Sequence, residues 1–194
     1  MRYGVRSISM DDIARHLGVS KKTLYQHFAD KDDLVTHVSS SHLERDKVLL
    51  SDLKKQAGNA IDELARISIW IKEDLEQINP TLMIDIQKYH PTAFSIWVNY
   101  RENFIRASVV QNIEQGKREG YFRQDVDADV IAISRLLLLE AAFDHRHFPH
   151  EKFKVVDVQS QLFDFFVYGL CTDKGRQLYE QYKHNHENPI SVKS

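Results

Sequence analysis

Helix breakers are scarce in this chain: seven glycines and four prolines punctuate 194 residues, with long stretches of good helix formers between them. A chain so seldom interrupted has few places to turn a strand back on itself, and the pattern predicts an all-α protein. The apolar residues agree. Ile61, Leu64, Ile67, Trp70, Ile71 and Leu75 recur three and four apart, the period of an amphipathic helix over residues 60–78.

The densest punctuation lies near the N-terminus. Ser9 is a natural N-cap for a helix over residues 10–17, with Asp12 three residues later completing a capping box and Gly18 free to take the left-handed conformation that ends it. Val19 follows as an apolar turn residue, Ser20 caps a short helix over residues 21–28, and Asp30 caps a third, with Asp33 at the third position after it. Three helix starts within about 22 residues fit a helix-turn-helix followed by a connecting helix. Ile13, Ala14, Leu17, Val19, Leu24 and Phe28 form the apolar set that packs the two short helices. With few residues before Ser9, such a pair is marginal alone. Either the connecting helix covers its open face or a further helix precedes it, and the expectation is a preceding helix that is absent from this sequence or disordered.

Beyond this unit the pattern predicts helices over residues 31–56, 60–78, about 81–89, 91–116 or 91–120, 128–145, 151–171 and 173–186, then a polar tail. Gly58-Asn59, Asn79-Pro80, His90-Pro91, the turn Gly120-Tyr121-Phe122-Arg123 and Phe148-Pro149 separate them, and Asp127 caps the helix from 128.

Composition narrows the class. A hydrophobic share of 42% beside 28% charged residues is that of a globular protein. No stretch reaches the roughly 18 apolar residues of a membrane span. The first residues carry no apolar leader, and the single Cys171 makes no intrachain disulfide, so a cytoplasmic protein without a membrane partner is expected. The net charge of −2 argues against a wholly basic nucleic-acid binder, but it allows basic residues gathered on one small face.

Such a face is legible on the second short helix. Lys21, Lys22, Thr23, Tyr25, Gln26 and His27 face outward once Leu24 and Phe28 pack inward. Lysines and hydroxyls suit phosphate oxygens, a threonine methyl and a glutamine amide suit base edges, and a helix N-terminus offers free N–H groups. The run Ile13-Ala14-x-x-Leu17-Gly18-Val19-Ser20-Lys21-Lys22-Thr23-Leu24-Tyr25-Gln26-His27-Phe28, with Lys31 before Leu34, closely resembles the helix-turn-helix signature of the TetR family of transcriptional regulators. The resemblance implies a DNA-binding domain over residues 1–38 and a helical regulatory and dimerisation domain over residues 39–194. It implies phosphate contacts from Tyr25, Lys31 and the Ser9 end of the first helix, and groove-facing roles for Lys21, Lys22, Thr23 and His27, with Gln26 facing either way. It further implies a homodimeric repressor that leaves a pseudo-palindromic double-stranded DNA operator when a small-molecule effector binds.

Two C-terminal segments are apolar nearly all round, including Leu136, Leu139 and Phe143 in one and Leu162, Phe165 and Phe166 in the other. A surface helix shows one stripe, so these need partners on both sides, and a second copy of the chain supplies the outer one. Gly169 allows close approach there. Trp70, Met83, Phe94, Trp97, Tyr100 and Phe104 on central helices are candidate pocket lining, although Met and aromatics at helical spacing are more often plain core. His145, His147 and His150 beside Asp144 have a metal-like spacing, but they span a helix end, and cationic side chains at a helix C-terminus are the simpler reading. No metal or cofactor is expected. Two alternatives stay open: a regulator controlled by a protein partner or acting without ligand, and an all-α enzyme, for which no nucleophile–base set stands out. Fully packed central helices would favour the first alternative, and an enclosed cavity would favour sensing.

Overall fold

The computed structural model describes residues 5–187 apart from 78 and 80. Among these residues the chain is all-α, with no strand and one isolated antiparallel bridge between Phe122 and Cys171. A 3-10 turn, Val5–Ser7, precedes α1 (Met10–Leu17), α2 (Lys21–His27), α3 (Lys31–Gln56), α4 (Ala60–Gln77), α5 (Leu82–Tyr89) and α6 (Pro91–Tyr100). A π-helical turn, Arg101–Ile105, carries α6 without a break into α7 (Arg106–Arg118). Next come α8 (Ala128–Ala141), α9 (Val155–Leu170) and α10 (Asp173–Glu187). Ile78 and Pro80, expected to end one helix and open the next, lie outside the described residues, as does the polar tail after residue 187.

Local chemistry sets the first three helices. The Ser9 side chain accepts from Asp12 N–H while the Asp12 carboxylate accepts from Ser9 N–H at 3.0 Å, a complete capping box. Gly18 stands at φ 67°, and its N–H returns to the carbonyls of Ala14 and Arg15. Ser20 Oγ accepts from Thr23 N–H at 3.0 Å, and Asp30 accepts from Asp33 N–H at 2.9 Å. The two short helices pack through Met10, Ala14 and Leu24 against Leu34 of α3, with Ile13 and Phe28 partly buried beside them. Leu17 and Val19 depart from the expected apolar set: both are exposed, Leu17 at 61%. The small Ala14 and the long Met10 already fill the crossing, which leaves Leu17 and Val19 outside it.

A second core joins this module to the body. Val5 and Val35 pack with Ile86 of α5 and Ala93 of α6, and the buried His90 Nδ1 lies 2.9 Å from an Asp32 carboxylate oxygen on α3. The continuous α3 crosses the expected boundary at residue 38. The main core gathers Ile61, Leu64, Ile113, Phe163, Val167, Leu170 and Tyr179 from α4, α7, α9 and α10, with Phe122 from the turn after α7. Its clip is the turn after α7: Arg123 N–H donates to Leu170 O and Thr172 N–H to Tyr121 O, both at 2.9 Å. Phe122 enters the core against Gly116, where any Cβ would stand 2.0 Å from the ring.

Two helix bounds differ from the sequence expectation. The helix capped by Asp127 ends at Ala141 rather than near residue 145, because Phe143 and Asp144 N–H return to Glu140 and Ala141 carbonyls in tight turns. The next helix starts at Val155 rather than 151, after a turn in which Phe148 and Phe153 meet edge to face.

Candidate DNA-reading face and effector cavity

On α2 the structure leaves Lys22, Tyr25, Gln26 and His27 exposed on one side of Leu24, which is buried. Thr23 is half-buried, with its hydroxyl 2.8 Å from Ser20 Oγ, so its methyl is the part left for a base. Lys21 bridges to Asp11 of α1 at 2.8 Å, and that carboxylate holds the Lys21 ammonium above its ordinary pKa. The pair is exposed, and exposed pairs cost little to break for a phosphate. Lys31 is half-buried, its ammonium 3.4 Å from Arg6 O. Ser9 is spent on the capping box, hydroxyl and N–H both, and so fixes the start of α1 rather than offering a free phosphate donor. The residues expected to meet DNA thus gather onto one face at Lys22, Tyr25, Gln26 and His27, and Ser9 falls outside that group.

Behind the module lies a cavity of about 1620 Å3, well above the size of ordinary small-molecule pockets. Its walls are mainly apolar and come from α3 through α9, with residues of α1 and α2 such as Ile13 and Leu24 at one end. Trp70, Met83, Trp97, Tyr100 and Phe104 line it as the sequence suggested. Phe94 does not: it packs into the seam with Val5, Val35, Ile86 and Ala93, one helical position off the cavity side of α6. The π turn at Arg101–Ile105 matters here, since its wider winding brings Asn103, Phe104 and Ile105 to the wall together. Tyr100 stacks on Phe104 at 5.4 Å, and burial with Asp46 and Asp74 nearby pushes its phenol well above the ordinary value.

The outer helices divide differently from the sequence expectation. Phe165 is exposed at 73%, Gly169 is exposed and Leu162 is half-buried, so this side of α9 faces outward as expected. Val130, Ile133 and Leu137, exposed at 57%, 43% and 61%, form the matching apolar face of α8. Leu136 and Phe166 are buried within the chain, and together with Leu139 and Phe143 they line the cavity. Helical phase separates the two groups: Leu136 and Leu137 point about 100° apart.

Polar groups in the cavity wall were not anticipated from the sequence. Arg135 of α8, Glu63 of α4 and Asn112 of α7 are all buried. Asn112 Nδ2 donates to Glu63 Oε2 at 2.8 Å, and burial holds the Glu63 carboxyl above its ordinary pKa. Asp46 is likewise raised by burial. The signal for Arg135 was present as the one charge within Ile131-Ala132-Ile133-Ser134-Arg135-Leu136-Leu137-Leu138-Leu139. Among the described residues no three His, Cys, Asp or Glu side chains converge as metal ligands. Asp144 beside the histidines pairs with Arg146 instead. No described helix is long and apolar enough to cross a membrane.

Comparison with known proteins follows this division. Residues 1–38 match the model of bacterial regulatory proteins of the tetR family. The HTH-type transcriptional regulator YvaF of Bacillus subtilis is 23% identical over 172 residues, covering 87% of this chain and 88% of YvaF. The HTH-type transcriptional repressor KstR2 of Mycobacterium tuberculosis is 26% identical over 131 residues, 66% of each chain. Its structure, that of a ketosteroid transcriptional regulator, superimposes with a TM-score of 0.61 at 21% identity over 87% of both chains. A TetR-family regulator from Agrobacterium tumefaciens shares the fold with a TM-score of 0.71 at 15% identity, covering 88% of this chain and 90% of that one. Residues 1–38 thus match the tetR-family helix-turn-helix, and the chain as a whole is similar to HTH-type transcriptional regulators and shares the fold of a TetR-family regulator.

Proposed function

We propose that the chain is a cytoplasmic homodimeric repressor, released from a pseudo-palindromic operator when a small molecule fills the body. The observation that carries this reading is the cavity itself: one continuous space walled both by α3, which holds the DNA module, and by the body helices α4–α9. A ligand that pushes α5 and α6 acts directly on the seam of Val5, Val35, Ile86 and Ala93 and on the Asp32–His90 contact. The lever is short. A small tilt of α3 changes the spacing of two recognition helices that must match half-sites about 34–36 Å apart. By linkage, the effector must bind the DNA-free arrangement better than the DNA-bound one.

The open apolar face of Val130, Ile133, Leu137, Leu162 and Phe165 supports dimerisation through α8 and α9 as an intermolecular four-helix bundle. The cavity favours sensing over control by a protein partner, since a body without a ligand to bind has no use for so large an unfilled space. The test has two stages. Bound sequences are selected from random duplexes with the full chain, and the recovered operator is then challenged with fractionated metabolite extract. A pseudo-palindrome released by one fraction is expected. No preference for any duplex at moderate ionic strength would refute the regulator reading, and an operator that no fraction releases would refute the sensing.

A further inference from the structure

The cavity wall contains a buried cation that no carboxylate among the described residues neutralises. Arg135 is 5% exposed and lines the cavity from α8. Its single hydrogen bond among the described residues is a long one, from Nη1 to Gln159 Oε1 at 3.4 Å. Gln159 is itself held, its Nε2 donating to Leu139 O at 2.7 Å, so it cannot swing closer to serve the guanidinium better. The rings of Phe163 and Phe166 flank the charge at 5.1 and 6.0 Å. No carboxylate pairs with it among the described residues, and burial alone lowers its pKa, to about 10, which leaves it charged at neutral pH.

A guanidinium carries five N–H donors, and most of these have no acceptor among the described residues. Burying such a charge unpaired is costly, and protein interiors normally answer it with an anion. Two aromatic faces soften the cost, but they accept no hydrogen bond in the plane of the fork. Leu136, Leu139 and Phe143 continue the same wall as an apolar surface. The cavity's acids, Asp12 of α1, Asp46 of α3 and Glu63 and Asp74 of α4, contribute nothing to the environment of Arg135.

We infer that the effector is an amphipathic anion whose carboxylate or phosphate head is bound by Arg135 while its apolar tail lies along the cavity wall. This rests on the sensing reading above and names the chemistry sensed. A head that presents two oxygens side by side fits the guanidinium fork, which gives an anion both charge and direction. Gln159 holds one end of the fork at Nη1, and Phe163 and Phe166 flank it.

The test compares four probes with one twelve-carbon tail: dodecanoate, dodecyl phosphate, dodecanol and dodecyltrimethylammonium. They are titrated below their micellar concentrations into the full-length protein and followed by the fluorescence of Trp70 and Trp97, the chain's two tryptophans, both in the cavity wall. One or both anions should bind about 10- to 100-fold tighter than the alcohol, the range expected of a hydrogen bond to a buried charge. Which anion is preferred tells a carboxylate from a phosphate head. Arg135→Met keeps the length and removes the charge, and in it anion and alcohol should bind alike. Equal binding of anions and alcohol by the unmodified protein overturns the inference yet leaves sensing intact. Preference for the ammonium probe overturns it and moves charge recognition to Asp46 and Asp74. A preference that survives Arg135→Met overturns the assignment to that residue. If no probe binds, the inference is wrong, and release of the operator by metabolite fractions decides the sensing reading separately. Should Arg135→Met fail to fold, the ranking of anions against alcohol on the unmodified protein still supports or overturns the anionic effector.

Discussion

Replacing Phe165 with glutamate should split the dimer without unfolding the chain. The side chain is 73% exposed on α9 and takes no part in the chain's own core, whereas its neighbours Phe166 and Val167 are buried. A phenylalanine presents about 200 Å2, so about 150 Å2 of ring stays open on each protomer. At about 25 cal/mol per Å2 that area is worth about 4 kcal/mol once covered, and a two-fold interface counts it twice. Ordering costs and imperfect fit take back a large share, so about half is expected to appear in the affinity, roughly 4 kcal/mol or nearly a thousandfold in the dissociation constant. Glutamate adds two carboxylates facing an apolar bundle. Sedimentation velocity over a concentration series reads the equilibrium directly, and far-ultraviolet circular dichroism checks that the monomer is still helical. Leu137→Glu, 61% exposed on α8, should act in the same direction. If Phe165→Glu dimerises as tightly as the unmodified chain, α8 and α9 do not form the interface and the bundle argument fails.

Three further outcomes follow from the same structure. Tyr25→Ala should weaken specific and random duplex binding alike, by roughly tenfold for a lost hydrogen bond to a charged oxygen, while changes at Lys22 or Thr23 should alter sequence preference; a Tyr25→Ala variant with unchanged binding in a mobility-shift titration would remove that residue from the interface. Gly116→Ala should destabilise the fold by about 3 kcal/mol, since its Cβ would stand 2.0 Å from the buried Phe122 ring, and a urea denaturation midpoint that does not move would contradict the packing. Glu63→Gln keeps the acceptor for Asn112 and removes a buried charge. Because burial raises the folded-state pKa of Glu63, its ionisation weakens the fold as pH rises through that value, and below the unfolded carboxyl pKa the penalty vanishes. The variant should therefore melt roughly 2–4 °C higher than the unmodified chain at neutral pH and no higher near pH 4. An equal gain at both values would show that charge is not the cause.

Local chemistry made the first third of the molecule readable. Ser9, Gly18, Ser20 and Asp30 act within a few residues of themselves, so caps and stops fell where the sequence put them, and α3 spans Lys31–Gln56 as read. The face of α2 was readable for the same reason, because Leu24 and Phe28 fix which side is left outside. The expected ends at residues 145 and 151 were missed because the turns after α8 and before α9 close through carbonyls that carry no residue-specific signal.

Packing decided the rest. An all-round apolar helix announces that it has two neighbours but not which side meets which, and only the tertiary structure sends Leu136, Leu139, Phe143 and Phe166 to the cavity and Ile133, Leu137 and Phe165 outward. Likewise Phe94 and Trp97 look equivalent in the chain until α6 packs against α3 and turns one into the seam and the other into the cavity. Secondary structure and its caps depend on neighbours a turn away, which the sequence lays side by side. A cavity, and a buried arginine in its wall with no counter-ion among the described residues, depend on side chains from helices far apart in the chain, and these meet only on folding.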